Sequence, residues 1–347
     1  MKQDAGNRER GVALIMVIFM IAIASALLIS LTSSTYTSMR LNRAAEQRIR
    51  AEYILKSAVN LAQVLIKNDT TQYDDPVQDA WMKFIDGTEV PGELVGISEP
   101  NVRISLLIAS EQGKIPLLSV VNTSGVDPTW RNVLVALFKN LGFDNPATVK
   151  QSNPTTSQKI YSSEEMVANL IDYLDRDKDN YSASGFPAQG CEGNLPMGEE
   201  FRNDGRMESI ASELGAIPGF TPSRIQLLIP FVHIDSGPKT ININAADERV
   251  LNALIQGIDP SASPDEASKL IACRNPANGF FNQNYASQIT GCIDPNVANL
   301  IKPKLSPSGN TFSVISKVDY GLNTFMASAT LRARNGRLPS LENLIIY

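Results

Sequence analysis

The sequence predicts an α+β chain. A long N-terminal helix packs on a small antiparallel sheet, and a large all-α domain is inserted between strands of that sheet. Three observations carry this. Val12 to Leu31 holds no charged residue and is followed, from Thr32 to Lys67, by a stretch without proline or glycine. Alternating apolar segments occur near residues 101–121 and again after residue 308. Between them the pattern changes to short helix-period segments punctuated by Gly and Pro.

Read as a helix, Val12–Leu31 rises about 30 Å, the hydrocarbon thickness of a bilayer. Lys2, Arg8 and Arg10 precede it, so the positive-inside bias leaves the N-terminus in the cytoplasm and the bulk outside. The apolar run is longer than the core of an ordinary secretion signal, although "ASALLISLTSS" offers small residues for such a cut. The helix-period stripe Ile54, Ala58, Leu61 and Leu65, widened by Val59, Ala62 and Ile66, continues it. One helix of about fifty residues results, apolar all round in its first half and amphipathic in its second.

In "NVRISLLIASEQGKIPLLSVV", Val102, Ile104, Leu106 and Ile108 share one face of a strand; Gln112-Gly113 reads as a hairpin turn and the following run as a second strand. "FSVISKVDYG" and "FMASATLRARNG" read as two more. The segment between is helical. Asp127 caps a helix with Pro128 at its first position, and Ser162 or Ser163 caps another that places Met166, Leu170 and Leu174 on one face. Helical hairpins follow around Pro218-Gly219 and after "AADERVLNALIQG". The resulting organisation is 1–11 a charged segment ahead of the apolar run, 12–31 transmembrane half-helix, 32–121 second half-helix and first strands, 122–308 helical insertion, and 309–347 C-terminal strands.

Composition narrows the function. The 347 residues carry a net charge of −5, which disfavours a broad nucleic-acid surface. The only histidine, His233, has no serine or cysteine nucleophile suggested beside it, and "QGKIP" lacks the frame of a phosphate loop, so no enzyme is predicted. The acids of "DYLDRDKDNYSASG" are dense: Asp175, Asp177 and Asp179 alternate, and Asp172 stands one helical turn earlier. Such oxygen ligands suit calcium, with Glu192 able to complete the shell, although Asn180 and Phe186 occupy places where an EF-hand needs glycine and glutamate. The bland alternative is a solvated acidic turn balanced by Arg176 and Lys178. Cys273 and Cys292 can close a loop by a disulfide in an oxidising compartment, leaving Cys191 single; other pairings stay open.

"RERG" followed by "VALIMVIFMIAIASALL" resembles the leader of type IV pilins and type II secretion pseudopilins. The resemblance implies that a prepilin peptidase cuts between Gly11 and Val12, that Val12 is then N-methylated, and that the apolar helix is retained in the inner membrane. Most members carry glutamate at the fifth position after the cut; here that residue is Met16. This departure, with "SEQGKI", "ANLIDYLDRDKD", "GCE", "RNDGRMESIASELGAIPGFT" and "TININAADERVLNAL" in order, is similar to the type II secretion protein K family. "KIPLLSVV" and Tyr173 depart from that family's usual residues. Membership implies a minor pseudopilin that caps or initiates the pseudopilus tip with minor pseudopilins I and J, spans the inner membrane once, and binds calcium in the helical domain through Asp172, Asp175, Asp177, Asp179 and Glu192. A minor pilin of a type IV pilus shares the leader and sheet. A helix-hairpin-helix DNA receptor resembles "ININAADERVLNAL", but Asp259, Asp265 and Glu266 place negative charge where a phosphate would approach, so no nucleic-acid partner is expected.

Overall fold

The computed structural model describes residues 4–69, 71–97, 102–145, 159–192, 207–235, 237, 239–274, 280–321, 323–334 and 336–347, with residues 4–13 described by backbone alone. Helix α1 runs unbroken from Asp4 to Lys67. From Leu14 to Leu31 its apolar side chains are exposed. Its distal half buries Ala51, Ile54, Leu55, Ala58, Val59, Ala62 and Ile66. This helical stripe lies one position to the side of the expected one, with Leu61 and Leu65 half-buried at its flank.

The stripe rests on a five-stranded antiparallel sheet of order β1-β2-β9-β10-β11. Its strands are β1 (Thr88–Val90), β2 (Val102–Ser110), β9 (Thr311–Tyr320), β10 (Asn323–Arg334) and β11 (Arg337–Ile346), and the short strands β3 (Ile115–Pro116), β4 (Val121–Asn122), β5 (Gly125–Val126), β6 (Val232–His233), β7 (Ile241–Asn242) and β8 (Leu305–Ser306) pair outside it. On β2 the alternation holds, with Ile104, Leu106 and Ile108 buried against α1. The expected hairpin at Gln112-Gly113 does not form. After a 3-10 turn at Glu111–Gly113, β3 pairs in parallel with β6 of the helical region. Gly113 lies so close to Ala245 that a Cβ would sit 2.7 Å from its carbonyl, and Pro116 has no N–H for a ladder. β2 pairs antiparallel with β1 on one side and on the other with β9, in register from Val102↔Tyr320 to Ser110↔Phe312.

The insertion contains α2 (Pro128–Asn140), α3 (Ser163–Leu174), α4 (Ile210–Leu214), α5 (Pro222–Leu228), α6 (Glu248–Ile258), α7 (Glu266–Cys273), α8 (Tyr285–Cys292) and α9 (Pro295–Ile301). Its starts follow local chemistry. Asp127 accepts from the amides of Thr129 (2.9 Å) and Trp130, and Ser162 with Glu165 forms a capping box. Strands β1 and β11 and helices α8 and α9 carry no strong sequence period. The first two sit on sheet edges, and the helices are one or two turns long. Two hydrophobic clusters result. One joins the distal half of α1 to the sheet; the other fills the helical insertion around Trp130, Leu134, Phe138, Leu170 and Leu254.

Within the second cluster, α6 crosses α2 at Gly257. A Cβ there would lie 2.5 Å from Val133 Cα. Gly→Ala inside a helix ordinarily gains about 1 kcal/mol. Here the obstacle is backbone, so overpacking reverses the sign: Gly257→Ala is expected to lower stability by about 1–3 kcal/mol, read as a fall in Tm by calorimetry.

Candidate functional sites

The acidic loop begins where α3 ends. Asp172 is fully buried in the last turn of that helix, and its Oδ1 accepts from the Tyr181 amide at 2.7 Å, so the loop folds back on the helix. Arg131 fixes the loop to α2, donating to Tyr181 Oη at 2.8 Å and stacking 4.5 Å above Phe186. Gly190 passes against the carboxylate so closely that a Cβ would fall 1.9 Å from Asp172 Oδ2. Next in the chain come Cys191, half-buried, and Glu192, buried.

Burial raises the Asp172 pKa, opposed by the amides of Tyr181, Cys191 and Glu192. Burial, then the negative field of Asp172, pushes the Cys191 thiol up to about 11, which keeps it protonated. Of the five predicted ligands, the fold brings Asp172 and the Glu192 segment together. Asp175 caps α3, half-buried; Asp177 accepts from the Asp179 amide at 2.9 Å, and both stand exposed in the turn. Among the described residues no three His, Cys, Asp or Glu side chains converge on one point. The donor chemistry nonetheless fits a hard cation: Asp172 Oδ2 is a buried carboxylate oxygen without a side-chain hydrogen-bond partner among the described residues.

Gly11 and Val12 lie within α1, and their side chains fall outside the described residues. Cys273 and Cys292 are bonded, with Cα atoms 6.2 Å apart, at the ends of α7 and α8; Cys191 is free. The intervening loop is partly helical from Tyr285, while residues 275–279 lie outside the described set, as do residues 202–206 of "RNDGRM". His233 is buried on β6, and burial lowers its pKa to about 4, so it is neutral at physiological pH. Its Nδ1 accepts from the Asp235 amide. The Asp235 carboxylate turns elsewhere, to Thr311 at 2.5 Å and to Arg332 on β10. Burial opposes ionisation of Asp235, but these bonds outweigh it and hold the carboxyl below the usual range. At the α6–α7 turn, Glu266 is occupied by Lys269 and the Asp294 amide, so this acid has an internal structural role.

Sequence reasoning missed a polar hub between the two hydrophobic clusters. Its only sequence signal is the acid-rich run "NDTTQYDDPVQD" after α1. Asp74 accepts from Asn242 Nδ2 at 2.5 Å, and the same amide reaches Ser110 on β2 at 3.2 Å. Asn244 donates to the carbonyls of Phe281 and Pro307. Asp69 accepts from Trp81 Nε1, and Asp79 accepts from Thr71 and the Asp75 amide. Burial pushes Asp74 up to about 7, against the Asn242 bond, and Asp79 up to about 6.

No protein-family model matches the chain. A curated protein of Escherichia coli (strain K12), "Putative type II secretion system protein K", is 23% identical over 321 residues, covering 89% of this chain and 88% of the relative. The fold is similar to a chain in a solved structure, "The Crystal Structure of the GspK-GspI-GspJ complex from enterotoxigenic Escherichia coli Type 2 Secretion System". The TM-score is 0.62 and the identity 18%, covering 88% of this chain and 99% of the other. The likeness is one of fold: an α+β chain with a long N-terminal helix laid on a small antiparallel sheet. Along most of its length the chain is similar to a type II secretion system protein K. By its length and composition the apolar helix fits a single-pass membrane anchor.

The hub makes stability pH-dependent. Asp74 has a folded pKa near 7 against an ordinary 3.8, so the folded state holds its proton longer than the unfolded chain. That contribution is complete below about pH 4 and is lost as pH rises to 7. Asp74→Asn keeps an acceptor without the charge. Urea unfolding between pH 5 and 8 is expected to show a smaller loss of stability in the variant than in the parent.

Proposed function

We propose that the chain caps or initiates the type II pseudopilus, anchored once in the inner membrane with its N-terminus in the cytoplasm and its two lobes in the periplasm. The observation that carries this is the bulk of the helical lobe. It has its own hydrophobic core beside the sheet that packs on α1, which obstructs close stacking of identical subunits along a filament. Met16 supports an end position, because a carboxylate in lipid costs about 2.5–3.5 kcal/mol unless a neighbouring subunit satisfies it. The partners on this reading are minor pseudopilins of the I and J kinds, by analogy with the solved complex, in which GspK is joined to GspI and GspJ. A prepilin peptidase cuts between Gly11 and Val12 and Val12 is methylated; the leader motif supports this.

Calcium belongs to the same proposal. Asp172 and Glu192 would hold it, with Asp175, Asp177 and Asp179 drawn in from the turn, and the ion would neutralise buried carboxylate charge.

Deleting the gene is expected to leave exported substrates in the periplasm while the inner-membrane machinery persists. Normal export in the deletion strain, or a mature N-terminus beyond Leu31 instead of Val12, overturns the reading. Calcium at about 100 times its Kd is expected to stabilise the chain by about 2.7 kcal/mol, and Asp172→Asn to abolish most of that gain; an unchanged Tm on adding calcium removes the ion from the proposal.

A further inference from the structure

A cleft of about 600 Å³ opens at the membrane-distal end of α1, between that helix, the 306–312 junction and the β10–β11 turn. Three cations line it: Lys67 from the last turn of α1, and Arg334 and Arg337 from the two sides of the turn. All three are exposed, and none has an ion-pair partner among the described residues. The one acid among the described lining residues, Asp69, is already engaged, through Oδ1 by Thr71 and through Oδ2 by Trp81. The rest of the wall mixes hydroxyl and amide groups, from Thr71, Gln72, Thr240, Ser306 and Asn310, with apolar side chains such as Phe312. A second feature points the same way. Arg334 and Arg337 are direct cross-strand partners, an arrangement of like charges that repels unless a counter-charge lies between them.

We infer that this cleft binds an acidic peptide segment, presented by a protein that meets the membrane-distal end of the chain. The lining supplies charge for carboxylates and hydrogen-bonding groups for a peptide backbone. The anchoring bilayer is out of reach: from Leu31 to Lys67 the helix rises about 54 Å, several Debye lengths at physiological salt. The inference rests on the proposed placement of α1 in the inner membrane. Its test does not, because binding is read on the purified chain whether or not that chain is a tip subunit.

The test uses the full chain in phosphatidylcholine nanodiscs, titrated at low salt with a fluorescent acetylated penta-glutamate peptide and with its penta-glutamine counterpart. The glutamate peptide is expected to bind and the glutamine peptide to fail. Arg334→Gln with Arg337→Gln should weaken binding at least tenfold, Lys67→Gln several-fold, and Lys83→Gln, which lies outside the cleft, not at all. Should the double variant fold poorly by its Tm, Lys67→Gln alone carries the comparison. Equal binding of both peptides, or unchanged affinity in Lys67→Gln and the double variant, overturns the inference. Vesicles of phosphatidylglycerol that displace the glutamate peptide and lose their hold in the double variant also overturn it, by assigning the cleft to a lipid surface.

Discussion

The pairing of β2 with β9 is the constraint on which the architecture depends. Nine residues of β2 meet nine of β9 in continuous antiparallel register, from Val102↔Tyr320 to Ser110↔Phe312. Everything between Ser110 and Thr311 is therefore a closed excursion that leaves and re-enters the sheet at adjacent strands. Closing so long a loop costs little more entropy than closing one half its length, because the cost grows only with the logarithm of length. The excursion forms a core of its own, and β2 and β9 remain free to pack Ile104, Leu106, Phe312 and Val314 against α1.

Because the two lobes have separate cores, a directional polar seam helps set their relative position. Asn242 of the insertion joins Asp74 and Ser110 on the sheet side, and Asp235 joins Thr311 and Arg332 of the sheet. Buried hydrogen bonds of this kind specify geometry more sharply than apolar contact, since a small displacement leaves a polar group unsatisfied. The same desolvation raises the pKa of Asp74 and so makes the seam sensitive to pH.

This construction suits the proposed tip role. The unbroken α1 carries an exposed apolar segment and a packed segment on one rigid axis. The helical lobe is joined to the sheet through β2 and β9, and its acidic loop is organised locally by α3, Tyr181 and Gly190. The features proposed to meet other molecules lie on different parts of the chain: the apolar helix, the acidic loop and the cationic cleft.

What the sequence determined by itself is what local physics encodes. An uncharged run as long as a bilayer is thick gives a segment that fits a membrane anchor; alternation gives β2, β9 and β10; Asp127-Pro128 and the pair Ser162-Ser163 give helix starts, because each cap is satisfied within a few residues of itself. The carboxylates of the acidic loop were legible for the same reason, as a dense local pattern of one ligand type. Tertiary structure alone decided the rest. It turned the chain at Gly113 away from a hairpin, added the edge strands β1 and β11, buried Asp172 while leaving Asp177 and Asp179 in solvent, and joined Asp74 to Asn242. Those outcomes depend on groups distant in the chain meeting in space, and no period or spacing in a single sequence records such a meeting.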